Sequence, residues 1–141
     1  EIVFGDWSSD VCSSDLHMYV HAGFNKKTWA RDRMVRLSKK FRLPIDTQPG
    51  WNPKYPAGLT PNGFSDYSSF NRAGIPIVAF ESTNWEIGDL DGYTQTEQYG
   101  SFWHTPEDSL QTIEQRYPYR PRVHLFAFTK LTMKFLKSLK G

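Results

Sequence analysis

Cysteine is almost absent from this chain, because its 141 residues include only Cys12. An internal disulfide is therefore excluded. Secreted bacterial enzymes and cytosolic enzymes both commonly lack cysteine pairs, so this scarcity does not indicate a compartment. Long apolar runs are missing as well, since no segment approaches the roughly 20 residues that cross a bilayer as a helix. Internal repeats and long linkers are also missing, and the length predicts one domain or part of one.

The first sixteen residues form a segment of their own. Residues 5–16 resemble an in-frame translation of a common sequencing adapter, and residues 1–4 fit its index region. The alternative is a disordered tail, because a polar stretch rich in serine and aspartate cannot bury a core. We exclude residues 1–16 from fold prediction under either interpretation. If the adapter interpretation is right, the reading frame begins inside a gene and the chain is a fragment.

Positive charge predominates once that segment is set aside. Four of the 15 acidic residues and none of the 17 basic residues lie in it, so the remainder carries 11 acidic residues and a net charge of +6. Many of the basic residues lie between residues 26 and 42 and allow a nucleic-acid interface. Apolar residues recur there at helical spacing, which favours a solvated helix face over nucleic-acid binding. These apolar residues are Ala30, Met34, Leu37 and Phe41.

The first half of the chain predicts a strand and a helix followed by an irregular segment. Residues 18–22 form a strand candidate, and Asn25 is placed to cap a helix that runs to about Arg42. Pro44 ends this helix. Residues 45–63 carry many prolines and glycines together with aromatic residues, which is typical of an ordered surface loop.

A helix-to-strand unit follows. Ser65 offers a helix cap, Phe70 an inward-facing side chain, and Gly74 a left-handed helix end. The apolar run Ile75–Phe80 is typical of a buried parallel strand. Glu81 then lies at the carboxyl end of that strand, where open α/β sheets bind their ligands.

The last third predicts a long loop and two helices. Residues 84–101 form a polar loop whose aromatic residues favour a pocket wall. Thr105–Asp108 has the pattern of a helix start, directly after His104. A packing helix is predicted from about Arg122 to Lys140, with an apolar stripe of Leu125, Phe128, Leu131, Phe135 and Leu139. The other histidines, His17, His21 and His124, have no partner motif and are interpreted as surface or packing residues.

Several short motifs occur in an order that resembles one enzyme family. They are Ser65-Asp66-Tyr67, Ala73-Gly74-Ile75-Pro76, Glu81-Ser82-Thr83-Asn84-Trp85, Asp91-Gly92-Tyr93, and His104 with Asp108. Together they resemble the bacterial di-zinc aminopeptidases, metallopeptidase family twenty-eight, in the branch of the alkaline phosphatase isozyme conversion type. The resemblance implies that residues 17–141 are the C-terminal part of a zinc peptidase catalytic domain. The implied fold class is α/β, with part of a mostly parallel mixed sheet flanked by helices.

The resemblance also implies a chemistry and a set of site residues. Two zinc ions polarise the peptide carbonyl and lower the pKa of the attacking water. His104 corresponds to a metal ligand, whereas the general base and the remaining ligands are expected before Met18. Trp103 and Asp66 are candidate catalytic residues, although an indole donates one hydrogen bond and cannot titrate. The candidate substrate-pocket residues are Tyr67, Glu81 and Tyr93.

The predicted function is removal of N-terminal residues from peptides, by an exported enzyme of the extracellular space or cell envelope. The predicted partner is a peptide substrate, with no nucleic acid, and the fragment alone is expected to be inactive. One alternative is a glutaminyl cyclase-like acyltransferase, because those enzymes also have tryptophan before the equivalent histidine, as in Trp103-His104. A second is a non-catalytic peptidase-like binding module.

Overall fold

The computed structural model describes residues 16–60, 65–94 and 102–140. The adapter interpretation of the first residues therefore lies almost wholly outside the described residues, as do the end of the proline-rich loop and the end of the loop predicted at 84–101. Within the described ranges, no helix is long and apolar enough to cross a membrane.

Three strands and four helices make up the described structure. In chain order they are β1 (His17–Ala22), α1 (Trp29–Lys40), β2 (Ile45–Asp46), α2 (Ser68–Arg72), β3 (Val78–Thr83), α3 (Leu110–Arg116) and α4 (Arg120–Ser138). The strands form one mixed sheet in the order β2-β1-β3. The predicted fold class, an α/β fold with a mixed sheet flanked by helices, is confirmed.

Strand β3 differs from its prediction. It begins at Val78, not at Ile75, and it pairs antiparallel to β1 from His17 opposite Thr83 to Ala22 opposite Val78. Most of its residues are only half-buried. An edge strand in an antiparallel pair can keep one face wet, so an apolar run was not sufficient to identify a buried parallel strand. The prediction of a parallel strand was wrong.

The parallel pairing in the sheet involves a segment predicted to be loop. Ile45 pairs with Met18 and Asp46 with Tyr19, which makes residues 45–46 a short strand. The rest of the proline-rich segment is irregular as predicted, apart from a bridge between Ala22 and Leu59.

The core lies between one face of the sheet and the helices α1 and α4. Met18 and Val20 of β1 occupy alternate positions and pack there with residues from both helices. Ala30 and Met34 are buried as the helical spacing predicts. In α4 the buried apolar residues are Ala127, Leu131 and Phe135. The outer members of the predicted stripe, Leu125 and Leu139, are exposed, so that part of the prediction was wrong.

The predicted caps of α1 and α2 were wrong. Helix α1 starts after Thr28, because Asn25 makes tertiary contacts instead: its side chain donates to the carbonyl oxygens of Asn71 and Ile75. Helix α2 begins at Ser68 and not after Ser65.

Phe70 of α2 is 55% exposed, which corrects its inward assignment. The helix is only five residues long, so it presents little buried face. Gly74 has φ of 75°, in agreement with its predicted role as a left-handed helix end.

Helix α3 also starts later than its prediction. Ser109 is the N-cap, and its hydroxyl accepts a hydrogen bond from the Thr112 amide at 3.1 Å. The Thr105 hydroxyl is committed to the Phe102 carbonyl at 2.6 Å, so it does not cap a helix. Residues 105–108 therefore form turns, and the predicted helix start there was wrong.

Candidate active site

The sheet face opposite the core carries polar and aromatic side chains. Successive side chains of a strand alternate between faces, so Tyr19 and His21 of β1 come to this face beside Glu81 of β3. The His21 imidazole is 1% exposed, and its Nε2 lies 2.8 Å from Glu81 Oε2. Pairing of β1 with β3 therefore buries an imidazole against a carboxylate sixty residues later in the chain.

The Trp85 indole contacts the same carboxylate oxygen. Its Nε1 donates to Glu81 Oε2 at 2.8 Å. The buried indole packs against Gly92, where a Cβ would lie 2.6 Å from the ring and where φ is +82°. Glycine is therefore required at 92 for this close approach. The turn after β3 fixes the indole, and the indole in turn orients the carboxylate.

Aromatic rings surround this contact. Trp85 packs edge-on against His21 at 6.1 Å and against Tyr55 at 5.4 Å between ring centroids. Tyr19 stacks on His21 at 5.7 Å. Burial raises the pKa of Tyr19 to about 12, so its phenol stays protonated at neutral pH. We call Tyr19, His21, Tyr55, Glu81 and Trp85 the carboxylate cluster.

The predicted pocket residues come close to this cluster. Tyr93 is 49% exposed, and its partial burial together with the negative charge of Glu81 raises its pKa. Tyr55, Asp91 and Tyr67 contribute to the same shift. Tyr67 and Glu81 therefore lie within electrostatic reach of Tyr93, while their role in a substrate pocket stays a prediction.

Tyr93 also begins a row of rings that leads to the predicted metal ligand. Its ring lies 5.8 Å from that of Trp103, and Trp103 stacks on His104 at 3.9 Å. We call these three residues the aromatic row. His104 has φ of +57°, a left-handed conformation that costs a non-glycine residue about 1 kcal/mol. Both His104 and Trp103 are exposed, so an imidazole is presented to solvent at the end of the aromatic row.

Comparison with known proteins identifies the family. A family model described as peptidase family M28 matches residues 15–120. This chain belongs to peptidase family M28. The family predicted from the short motifs is thereby confirmed, and peptide-bond hydrolysis is the chemistry at family level. The match includes the carboxylate cluster and the aromatic row.

A curated relative supports the same assignment. The alkaline phosphatase isozyme conversion protein of Escherichia coli (strain K12) is 33% identical over 96 residues. The match covers 64% of this chain and 27% of the relative, so the chain spans about a quarter of the length of that M28 relative. No solved structure matches the chain.

The residues in the described ranges do not complete a metal site of the kind the M28 resemblance implies. Among them, no group of three or more histidine, cysteine, aspartate or glutamate side chains is arranged to hold an ion. A zinc ion in a protein takes three or four such donors. His104 offers one accessible imidazole, which suits a single ligand position. Asp66 is exposed in the turn before α2.

Sequence reasoning missed two features of the carboxylate cluster. His21 was interpreted as a surface or packing residue, and the contact of Trp85 with Glu81 was not foreseen. The available signal was the alternation in β1, which sends Tyr19 and His21 to the same face. Pairing that strand with Glu81 required knowledge of the antiparallel register.

Proposed function

We propose that this chain provides the C-terminal part of the catalytic domain of a zinc-dependent aminopeptidase, which removes N-terminal residues from peptides. The family match supports peptidase chemistry. The observation that carries the proposal is the aromatic row, because it connects the exposed His104 imidazole through Trp103 to Tyr93, one of the predicted pocket residues.

In this proposal His104 is a ligand of one of two zinc ions. The other ligands and the general base lie outside the described residues. When bound, the ions would polarise the peptide carbonyl and lower the pKa of a bound water. Trp103, stacked on His104, holds the imidazole in place. Asp66 is proposed only as a residue near the metal centre.

The printed name of the E. coli relative describes conversion between alkaline phosphatase isozymes. Removal of N-terminal residues from one polypeptide would give chains of different length and charge, so an exopeptidase is compatible with that name. We extend that reaction to this chain, and we propose that its whole protein acts in the cell envelope or outside the cell. The 141 residues alone are proposed to be inactive, because the described part offers a single metal-ligand candidate.

A chimera tests this function. The segment of the E. coli relative that matches this chain is replaced by this chain's matching residues, and release of nitroaniline from leucine p-nitroanilide is measured with added zinc. We expect hydrolysis by the chimera, none by the 141-residue chain, and none by the chimera with N-acetyl-leucine p-nitroanilide. A folded, zinc-loaded chimera that hydrolyses neither compound would contradict the proposal.

The same preparation separates the alternatives. A glutaminyl cyclase-like enzyme would release ammonia from a peptide with N-terminal glutamine. The stacked Trp103-His104 pair is the observation that favours this alternative. A binding module would retain peptides without hydrolysing them.

A further inference from the structure

The Glu81 carboxylate is held in place by two nitrogen donors. The indole of Trp85 donates from Nε1, and His21 contributes through Nε2. A carboxylate only accepts hydrogen bonds, so Nε2 of His21 carries the proton in this contact. Both donors contact the same oxygen, Oε2, which fixes the direction of the carboxylate.

Glu81 therefore differs from the other paired carboxylates in the described ranges. Asp32 is bonded to Arg31, and Glu114 to Arg122, so a guanidinium neutralises each of them. Within those ranges, His21 is the only basic side chain within 4.0 Å of the Glu81 carboxylate. The carboxylate is 30% exposed and can be reached from solvent. The carboxylate is fixed in direction, and no lysine or arginine of the described ranges lies within 4.0 Å of it.

The surroundings of Glu81 suit an organic cation better than a metal ion. A single carboxylate supplies too few donors for zinc, and no group of three potential ligands forms in the described part of the chain. Tyr93 lies within electrostatic reach of Glu81, and its ring is half exposed. The ring of Tyr55 packs edge-on against Trp85. An ammonium group gains both from a charge-assisted hydrogen bond to carboxylate and from an aromatic face.

We infer that the Glu81 carboxylate, oriented by His21 and Trp85, binds the α-ammonium group of the peptide substrate. This inference rests on the proposed aminopeptidase function. An enzyme that acts only at N-termini must distinguish a free ammonium group from an internal peptide bond. Glu81 makes that distinction by charge, and it is a substrate-binding residue, separate from the metal ligands.

The test uses the 141-residue chain with EDTA, so no metal contributes. L-Leucinamide is the ammonium probe, and N-acetyl-L-leucinamide is the matched neutral probe. Binding is followed through the ¹⁵N–¹H signal of the Trp85 indole, since this N–H donates to the carboxylate in question. The variant is Glu81→Gln, which keeps an oxygen that accepts from both donors. The control is Glu86→Gln, an exposed residue in the next loop.

We expect leucinamide to bind the wild-type chain and Glu86→Gln with the same Kd. Loss of a charge-assisted contact of about 1.4 kcal/mol weakens binding roughly tenfold, and we expect at least this for Glu81→Gln. N-Acetyl-leucinamide should bind the wild-type chain at least roughly tenfold more weakly than leucinamide, an expectation that does not depend on any variant folding.

Three results would overturn the inference: equal binding of the two probes, unchanged binding by Glu81→Gln, or no detectable leucinamide binding. The proposed function fails differently, through absence of zinc-dependent hydrolysis in the chimera. If leucinamide binding requires Glu81 while the chimera is inactive, the ammonium site stands and the aminopeptidase assignment fails.

Discussion

Two histidines contact opposite faces of β3 through neighbouring residues, and their surroundings differ. His21 reaches Glu81 on the aromatic face, where the carboxylate remains open to solvent. His124 reaches Ser82 on the other face, with Nδ1 and the hydroxyl oxygen 2.7 Å apart. Ser82 and His124 line an apolar cavity of about 380 Å³. Burial, with smaller contributions from Arg120 and His17, lowers the pKa of His124 to about 4.

The difference shows that neighbouring residues of β3 serve different purposes, one in stabilising the fold and the other in binding. The pair of Ser82 and His124 consists of neutral groups at physiological pH, and it serves packing between the sheet and α4. In the pair of Glu81 and His21, the carboxylate is open to solvent and has no lysine or arginine partner among the described residues. Alternation along β3 therefore places a structural pair and a binding pair at consecutive positions.

The largest expected effect comes from removing the indole that orients Glu81. Trp85 is buried against Gly92, so Trp85→Ala should lower the free energy of unfolding by about 3–5 kcal/mol. Urea denaturation followed by circular dichroism measures this loss. Trp51→Ala is the matched control, because Trp51 is exposed and should change stability by less than about 0.5 kcal/mol. Equal losses of unfolding free energy in the two variants would show that the buried indole of Trp85 makes no special contribution to stability.

The second effect is a pH dependence of stability that originates at His124. The folded pKa of about 4 lies below the unfolded value of 6.5, so the unfolded chain binds more protons between them. Stability should be complete above pH 6.5 and should fall towards pH 4, by on the order of 2 kcal/mol. Urea midpoints across this range measure it. His124→Gln should flatten the profile, and an unchanged profile in that variant would show that His124 is not its cause.

Removal of the Ser82 hydroxyl should have a smaller effect. Ser82→Ala leaves His124 Nδ1 without its partner and should cost about 1 kcal/mol. Ser69→Ala, at an exposed position of α2, is the control. Thermal denaturation of both variants gives the comparison, and no difference between them would mean that the bond to His124 contributes nothing to stability.

The smallest effect on stability should come from Glu81→Gln. The glutamine oxygen still accepts from Trp85 and His21, so we expect the free energy of unfolding to change by less than about 0.5 kcal/mol. Binding of leucinamide should nevertheless weaken by at least roughly tenfold. A destabilisation above about 2 kcal/mol would show that the carboxylate is mainly structural and would erase the contrast between the two faces.

Local patterns predicted the elements that depend on local periodicity. Strand β1 was predicted in place, and helical spacing predicted the burial of Leu131 and Phe135 in α4. Predictions based on single polar residues were less successful. Asn25 was expected to cap a helix, but it bonds to Asn71, 46 residues away. Such a tertiary contact leaves no trace in a short sequence window.

The candidate site was predictable only where its residues belong to short sequence motifs. Glu81, Tyr93 and His104 were selected from short motifs in a fixed order. The partnership of Glu81 with His21 was not, because it depends on which strands pair and in which direction. The apolar run before Glu81 indicated a parallel strand. In that orientation Glu81 and His21 would not have been predicted to be partners.

Zinc content of the chimera tests the central claim most directly, namely that His104 belongs to the metal centre. The chimera, its His104→Ala variant and its His17→Ala control are loaded with zinc, and bound metal per chain is measured. The account predicts two zinc ions in the chimera and the control, and fewer in His104→Ala, with hydrolysis lost. Unchanged zinc content in a folded His104→Ala variant would contradict it.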